Sequence, residues 1–243
     1  MKRQKLRTLL LLISLLIFPV TLYYFSPALI INAGLEGIIN GSFIVFVAML
    51  IGSIFFSRLF CAYLCPAGGL QEFACHICDK PPKQGWRYCI KYGVWLVWVM
   101  AVVLCYIRKG QIIRMDFFYQ TEHGISVSDI YGYVIYYGIV LLIFIPSLIG
   151  GKRAFCHYFC WMAPFMVIGE KIGKLLHLPG LHISIEHEKC VSCHKCNKVC
   201  PMSIDPGRAT EHGSIDEMEC IQCGACADIC SQKIFKVKMG KRR

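Results

Sequence analysis

Residues 190–201 read C-V-S-C-H-K-C-N-K-V-C-P, and residues 220–231 read C-I-Q-C-G-A-C-A-D-I-C-S. Each stretch is C-x2-C-x2-C-x3-C, and nineteen residues lie between Cys200 and Cys220. Three closely spaced thiolates can wrap one face of an iron–sulfur cubane. The fourth, three residues on, points to the other cluster, so the doubled motif has the spacing of a bacterial-type ferredoxin with two [4Fe–4S] clusters. Cluster 1 is expected on Cys190, Cys193, Cys196 and Cys230, and cluster 2 on Cys220, Cys223, Cys226 and Cys200. A zinc ribbon would use two C-x2-C pairs set further apart. The chain has 16 cysteines, half of them in these motifs, which need thiolates and a reducing compartment, so no structural disulfide is expected.

Outward from the motifs the chain turns apolar. Its 243 residues are 56% hydrophobic and 17% charged, with a mean hydropathy of +0.53. A soluble domain of this size carries more charge, so a membrane protein is expected. The net charge is +11, yet residues 186–239 hold eight acidic and seven basic side chains. The basic excess therefore surrounds the apolar part, where Lys and Arg anchor cytoplasmic loops. No basic patch sits on a soluble domain, which excludes a nucleic-acid partner.

Four spans are predicted, at about 8–31, 38–56, 92–107 and 130–149. The first follows the basic run M-K-R-Q-K-L-R. It is too long for a signal-peptide apolar core and lacks a small-x-small cleavage site, so it reads as a transmembrane helix with a cytoplasmic N-terminus. Pro19 and Pro27 can kink it or end it early. Residues 161–169 are apolar but too short to span and read as interfacial. Phe117, Phe118 and Tyr119 form another interfacial patch. The resulting fold is mostly α: a four-span transmembrane bundle over 1–182, a two-cluster ferredoxin domain over 183–235, and a basic tail over 236–243. Four spans leave both termini and the clusters in the cytoplasm.

The second and fourth spans end alike. Arg58-Leu-Phe-Cys61-Ala-Tyr-Leu-Cys65 lines up with Arg153-Ala-Phe-Cys156-His-Tyr-Phe-Cys160. Matching positions in two halves indicate a duplicated architecture, and cysteines four apart on one helix share a face. Three readings of Cys61, Cys65, Cys156 and Cys160 compete: inert packing, a redox thiol pair, or a third iron–sulfur or metal site. The lone Cys75-His-Ile-Cys78 is a weaker signal, either a redox pair or part of a site with Cys65 and Cys89, and is read as neither. Cys105 reads as packing. His123, His157, His177 and His182 lie outside every predicted span, so no haem is expected. His123 and Tyr119 could line a quinone pocket, though histidines in surface loops are usually solvated.

Four spans, two R-x-F-C-x-Y-x-C motifs and a two-cluster module together resemble the membrane-bound polyferredoxin family of the NapH/NosR type, associated with periplasmic nitrate and nitrous-oxide reductases. The cytochrome-oxidase accessory ferredoxins are related. The resemblance covers nearly the whole chain, and its specific part is the pair of Cys-x3-Cys motifs. The family pattern is C-x3-C-P. Cys61 to Pro66 fits it, but Trp161 follows Cys160 and Ser231 follows Cys230. Neither departure removes a ligand. The resemblance implies a quinol-linked electron carrier of anaerobic respiration, without flavin in this chain.

The function expected is a membrane-anchored relay of electrons between the quinone pool, or a membrane partner, and a redox enzyme, through two [4Fe–4S] clusters. The alternative is an accessory or assembly factor that reduces a metal ion for a respiratory enzyme. No catalytic acid–base or nucleophilic constellation is evident, so the chain reads as a quinol dehydrogenase-like electron-transfer subunit rather than a stand-alone enzyme. The expected location is a prokaryotic inner membrane, multi-pass, with the ferredoxin domain in the cytoplasm.

Overall fold

The fold is described from a computed structural model that covers residues 2–83, 85–208 and 213–241. In chain order its elements are α1 (Lys2–Leu16), α2 (Phe18–Thr21), α3 (Pro27–Glu36), β1 (Ile38–Asn40), α4 (Gly41–Phe56), α5 (Leu59–Tyr63), α6 (Pro66–Cys75), α7 (Ile90–Lys109), β2 (Arg114–Asp116), α8 (Ile130–Gly150), α9 (Ala154–Tyr158), α10 (Ala163–Leu175), β3 (Pro179–Ile185), α11 (Lys195–Lys198), α12 (Ala225–Ile229) and β4 (Phe235–Lys241). It is mostly helical, with a bundle up to α10 and a small cysteine-rich module closing the chain.

Among the described residues two helices are long and apolar enough to cross a membrane: α8, and α7 with the 3-10 turn that leads into it. Their apolar side chains, such as Val97, Leu104, Ile107, Val134 and Leu141, are exposed, which is compatible with a lipid-facing surface. Helix α4 is apolar but has only 16 residues, short of the roughly 20 that cross a bilayer upright.

The first expected span, 8–31, is not one helix. Its path bends by 61° between α1 and the 18–25 segment. Pro19 and Pro27 each occupy a helix's first turn, because a ring with no N–H is tolerated only where the backbone N–H has no partner anyway. Ser26 caps α3 by accepting the Leu29 N–H at 3.4 Å. Helix α3 then lies against α7, where a Cβ at Gly34 would stand 3.1–3.3 Å from Tyr106 and Cys105, a tight fit. Cys105 is thus a packing residue.

Residues 161–169, expected to be interfacial, pack into the protein along one face. Met162, Ala163, Met166 and Val167 are buried, and α10 packs along α4. A Cβ on Gly169 would stand 1.9 Å from Ser53 Oγ and 2.4 Å from the Leu50 carbonyl. The expected proline absent at Trp161 is replaced in its structural role by Pro164, in the first turn of α10. The duplication is also visible in packing. Helix α6 of the first unit lies on α8 of the second, and α10 of the second lies on α4 of the first.

Residues 236–241 are not a free tail. They belong to β4, which pairs antiparallel with β3 from Pro179↔Lys241 to Ile185↔Phe235; Arg242 and Arg243 lie outside the described residues. This hairpin closes the module, with Ile183, Ile185, Ile215, Ile234 and Phe235 in its core.

The module is bound to the bundle rather than merely tethered. Arg3 donates to the Gly224 carbonyl at 2.8 Å and pairs with Asp228 at 2.8 Å. Gln4 donates to the Cys223 carbonyl at 3.1 Å, and Ser57 Oγ donates to the Leu181 carbonyl at 3.1 Å.

Candidate iron–sulfur centres and the thiol chamber beneath them

The two motifs of the module share one backbone. Ser192, His194 and Ser203 are left-handed in the first half, as are Gln222, Gly224 and Lys233 at matching positions of the second. Non-glycine residues pay about 1–2 kcal/mol each for this conformation, so five of the six positions carry a cost. The turns bring Cys190, Cys193, Cys196 and Cys230 around one cavity, and Cys200, Cys220, Cys223 and Cys226 around another. These are the crossed sets of three plus one that the spacing predicts. The first cavity lies near the surface, with Cys193 exposed, while Cys200, Cys220, Cys223 and Cys226 are buried. Burial pushes Cys200 up to about 11 and Cys226 up to about 12. The free thiols therefore hold their protons, and binding iron releases them.

Cys61, Cys65, Cys156 and Cys160 are also buried, in a single apolar core that includes Cys200 and Cys223. The shared-helix-face expectation needs correction. Helix α5 ends at Tyr63 and α9 at Tyr158, and the next residues, Leu64 and Phe159, break the helix with φ of −122° in both. The Cys65 and Cys160 N–H groups each donate at 3.0 Å to the carbonyl of the residue five before, Phe60 and Phe155. Pro66 forces Cys65 out of the helical region, where it caps α6. Cys65 thus occupies the N-cap position of α6, while Cys160 lies two residues before the N-cap of α10, Met162; each thiol stands near backbone N–H groups at the start of the following helix.

Around these thiols stand ionisable groups deep in the core. Arg58, Lys91, Arg153 and His157 are 0% exposed. Glu219, next to Cys220, meets Arg58 at 3.1 Å, also pairs with Lys91, and lies 3.4 Å from His157 Nδ1. Burial alone would lift the Glu219 carboxyl, but Arg58, His157 and Lys91 outweigh it and hold it well below the usual carboxylate range. Burial lowers His157, so its ring is neutral at pH 7. On the opposite flank Glu72 pairs with Arg7 and Arg153. Gln71 donates to Cys156 Sγ at 3.0 Å and accepts the Cys156 N–H at 3.2 Å.

The residues fit iron–sulfur clusters by their donor chemistry. Each set offers four cysteines, and the module's loops hold costly left-handed residues at matching positions of its two halves. Among the described residues no three His, Cys, Asp or Glu side chains converge on one ion position. Cubane thiolates stand further apart than those around a single zinc. Cys65, Cys75, Cys78 and Cys89 likewise form no single-ion site. Tyr119 is buried against Ala33 and Ile38, while His123 is exposed; the quinone-pocket reading of this pair gains nothing from its placement. A different cavity, of about 370 Å³, opens between α1, α6 and the module. Leu12, Phe73, His76, Asp79 and Lys152 line it, and Cys200 reaches its wall.

The sequence alone does not single out Glu219, Glu72 or Lys91, and it brings in His157 only as a candidate haem ligand. The available signal was their charge or polarity beside apolar runs, which is costly there and tends to mark function. Arg58 and Arg153 stand out in the sequence only as matching positions of the repeat.

A family model described as a 4Fe-4S dicluster domain matches residues 182–231. One described as a 4Fe-4S binding domain matches twice, at 41–81 and 132–179. The chain is 24% identical over 190 residues to a protein of Escherichia coli (strain K12) named "Putative electron transport protein YccM", covering 72% of this chain and 50% of that one. It is 26% identical over 179 residues to "Uncharacterized protein MJ0750" of Methanocaldococcus jannaschii, covering 70% of this chain and 69% of that one. The chain thus spans about half the length of YccM. No solved structure matches it. These matches support an iron–sulfur electron-transfer family.

Proposed function

We propose that this chain is a membrane-anchored electron carrier with three iron–sulfur sites. Cys190, Cys193, Cys196 and Cys230 hold the outermost cluster, Cys200, Cys220, Cys223 and Cys226 the next, and Cys61, Cys65, Cys156 and Cys160 the innermost. When bound, such clusters accept and release single electrons at potentials set by charge, hydrogen bonds and exposure. One observation carries the reading: the chamber thiols share one unbroken core with Cys200 and Cys223. We read this shared core as the path by which electrons pass between the sites. The doubled match to a 4Fe-4S binding domain falls on the two halves that build the chamber.

Quinol is the donor we favour, at the cavity beside Cys200. Its volume of about 370 Å³ lies in the range of small-molecule sites. Its wall combines apolar Leu12 and Phe73 with His76 and with Asp79, which pairs with Lys152 at 2.6 Å; His76 is the base placed to take protons that quinol gives up with its electrons. Glu72 is less suited, since Arg153 and Arg7 overcome its burial and keep it ionised. The two long apolar helices anchor the chain in the inner membrane, with the module on the cytoplasmic side beside the basic loops, where it passes electrons to a redox enzyme.

The test is reduction of the anaerobically purified chain by a menaquinol analogue, followed by bleaching of the cluster absorbance. Leu12→Trp, which fills the cavity, is expected to slow reduction at least tenfold with iron content unchanged. Equal rates in both proteins would remove the cavity from the account, and no reduction by any quinol would remove the donor class.

A further inference from the structure

The duplicated motif repeats more than cysteines. Arg58 and Arg153 occupy the same position in each half, and both are 0% exposed. Each is fastened on one side. Arg58 donates to the Met218 carbonyl at 2.9 Å and to Glu219 at 3.1 Å. Arg153 donates to the Cys61 carbonyl at 3.1 Å and pairs with Glu72. Each also keeps buried N–H groups with no acceptor: Nε and Nη2 of Arg58, and Nε of Arg153. Both act electrostatically on Cys61 and Cys156, and Arg153 acts on Cys223 as well.

Unpartnered buried N–H groups on a charged side chain are costly, so their repetition in both halves points to an acceptor between them. Charge points the same way. Among the described residues, Arg7, Arg58, Lys91 and Arg153 are buried with only Glu72 and Glu219 as carboxylate partners in this network, a surplus of two positive charges. Four neutral thiols supply no compensation. Four thiolates around an iron–sulfur core of charge +2 supply −2, which closes the surplus. Arginine suits the place because it stays charged when buried and offers several N–H groups in a fixed fan.

We propose that Arg58 and Arg153 are the paired counter-charges of the Cys61/Cys65/Cys156/Cys160 site, turning their free N–H groups toward its sulfurs and easing its reduction. The proposal rests on the three-site reading above. Reduction adds one electron and one negative charge to the site, and nearby buried cations stabilise that state over the oxidised one. Loss of either arginine therefore makes the chamber site harder to reduce. The two ferredoxin sites serve as internal controls.

The experiment is a redox titration with dithionite, followed by electron paramagnetic resonance, on the full chain purified anaerobically in detergent. Wild type, R153Q, R153K and R58Q are compared, with iron counted in each. R153Q is the cleaner variant because Glu72 keeps Arg7. The expected result is a lower midpoint for the chamber signal in R153Q and R58Q, substantial recovery in R153K, and unmoved ferredoxin signals. Unchanged chamber iron and midpoint in both Gln variants would overturn the proposal. If neither Gln variant assembles, R153K decides: retained chamber iron supports a requirement for charge, and its loss overturns it. A wild-type count of about eight irons instead of about twelve would instead overturn the three-site reading itself.

Discussion

Arg58 and Glu219 meet at 3.1 Å in the core, one from the turn that ends α4 and the other from the residue before Cys220. This contact ties the thiol chamber to the inner ferredoxin site. Removing one partner of a buried pair leaves an uncompensated charge and costs about 3–5 kcal/mol. Glu219→Gln would strand Arg58 and Lys91 together. It is expected to loosen the module, seen as faster hydrogen exchange in β3 and β4. Exchange at the wild-type rate would show that the pair does not hold the module.

The same carboxyl predicts a pH dependence. Its folded-state value lies below the ordinary 4.5, so its contribution is fully present above that value. It is lost progressively as pH falls below 4.5 toward the folded value. Wild type should lose stability across this acid window, and E219Q should lose less. Parallel pH profiles for the two proteins would assign the acid sensitivity to other groups.

Gly169→Ala tests the seam between the two halves. Its new methyl would meet Ser53 Oγ and the Leu50 carbonyl at 1.9 Å and 2.4 Å, and one of these is backbone. Overpacking typically costs about 1–3 kcal/mol, so the detergent-solubilised protein should melt several degrees lower. An unchanged melting temperature would mean that α4 and α10 are free to move apart.

The crossed ligand sets predict which cluster each fourth cysteine serves. Cys230→Ser should disturb the signal that Cys190→Ser also disturbs, and Cys200→Ser the signal shared with Cys220→Ser. Because Cys193 is exposed while the second set is buried, a chelator should strip the outer site first. If C230S and C220S disturb the same signal instead, the sets are uncrossed.

The module was legible because cluster chemistry fixes its spacing. Eight cysteines in register specify the loops, and the left-handed turns fall at matching positions of both halves. The helical part was legible only where one helix is long and uniformly apolar, as in α7 and α8. Pro19 and Pro27 announced a break in the first segment but not its angle. Residues 161–169 looked interfacial because hydropathy cannot separate a lipid-facing surface from a protein-facing one; the small Gly169 that admits α4 was the overlooked sign. The Glu219–Arg58 contact joins residues 161 apart, and no local pattern encodes such a pairing.

Iron and acid-labile sulfide per chain, measured on anaerobically purified wild type beside Cys61→Ser/Cys156→Ser, test the central claim most directly. The account predicts about twelve irons in wild type and about eight in the double variant, with both ferredoxin signals intact. About eight irons in both proteins would contradict it and leave the chamber thiols as packing.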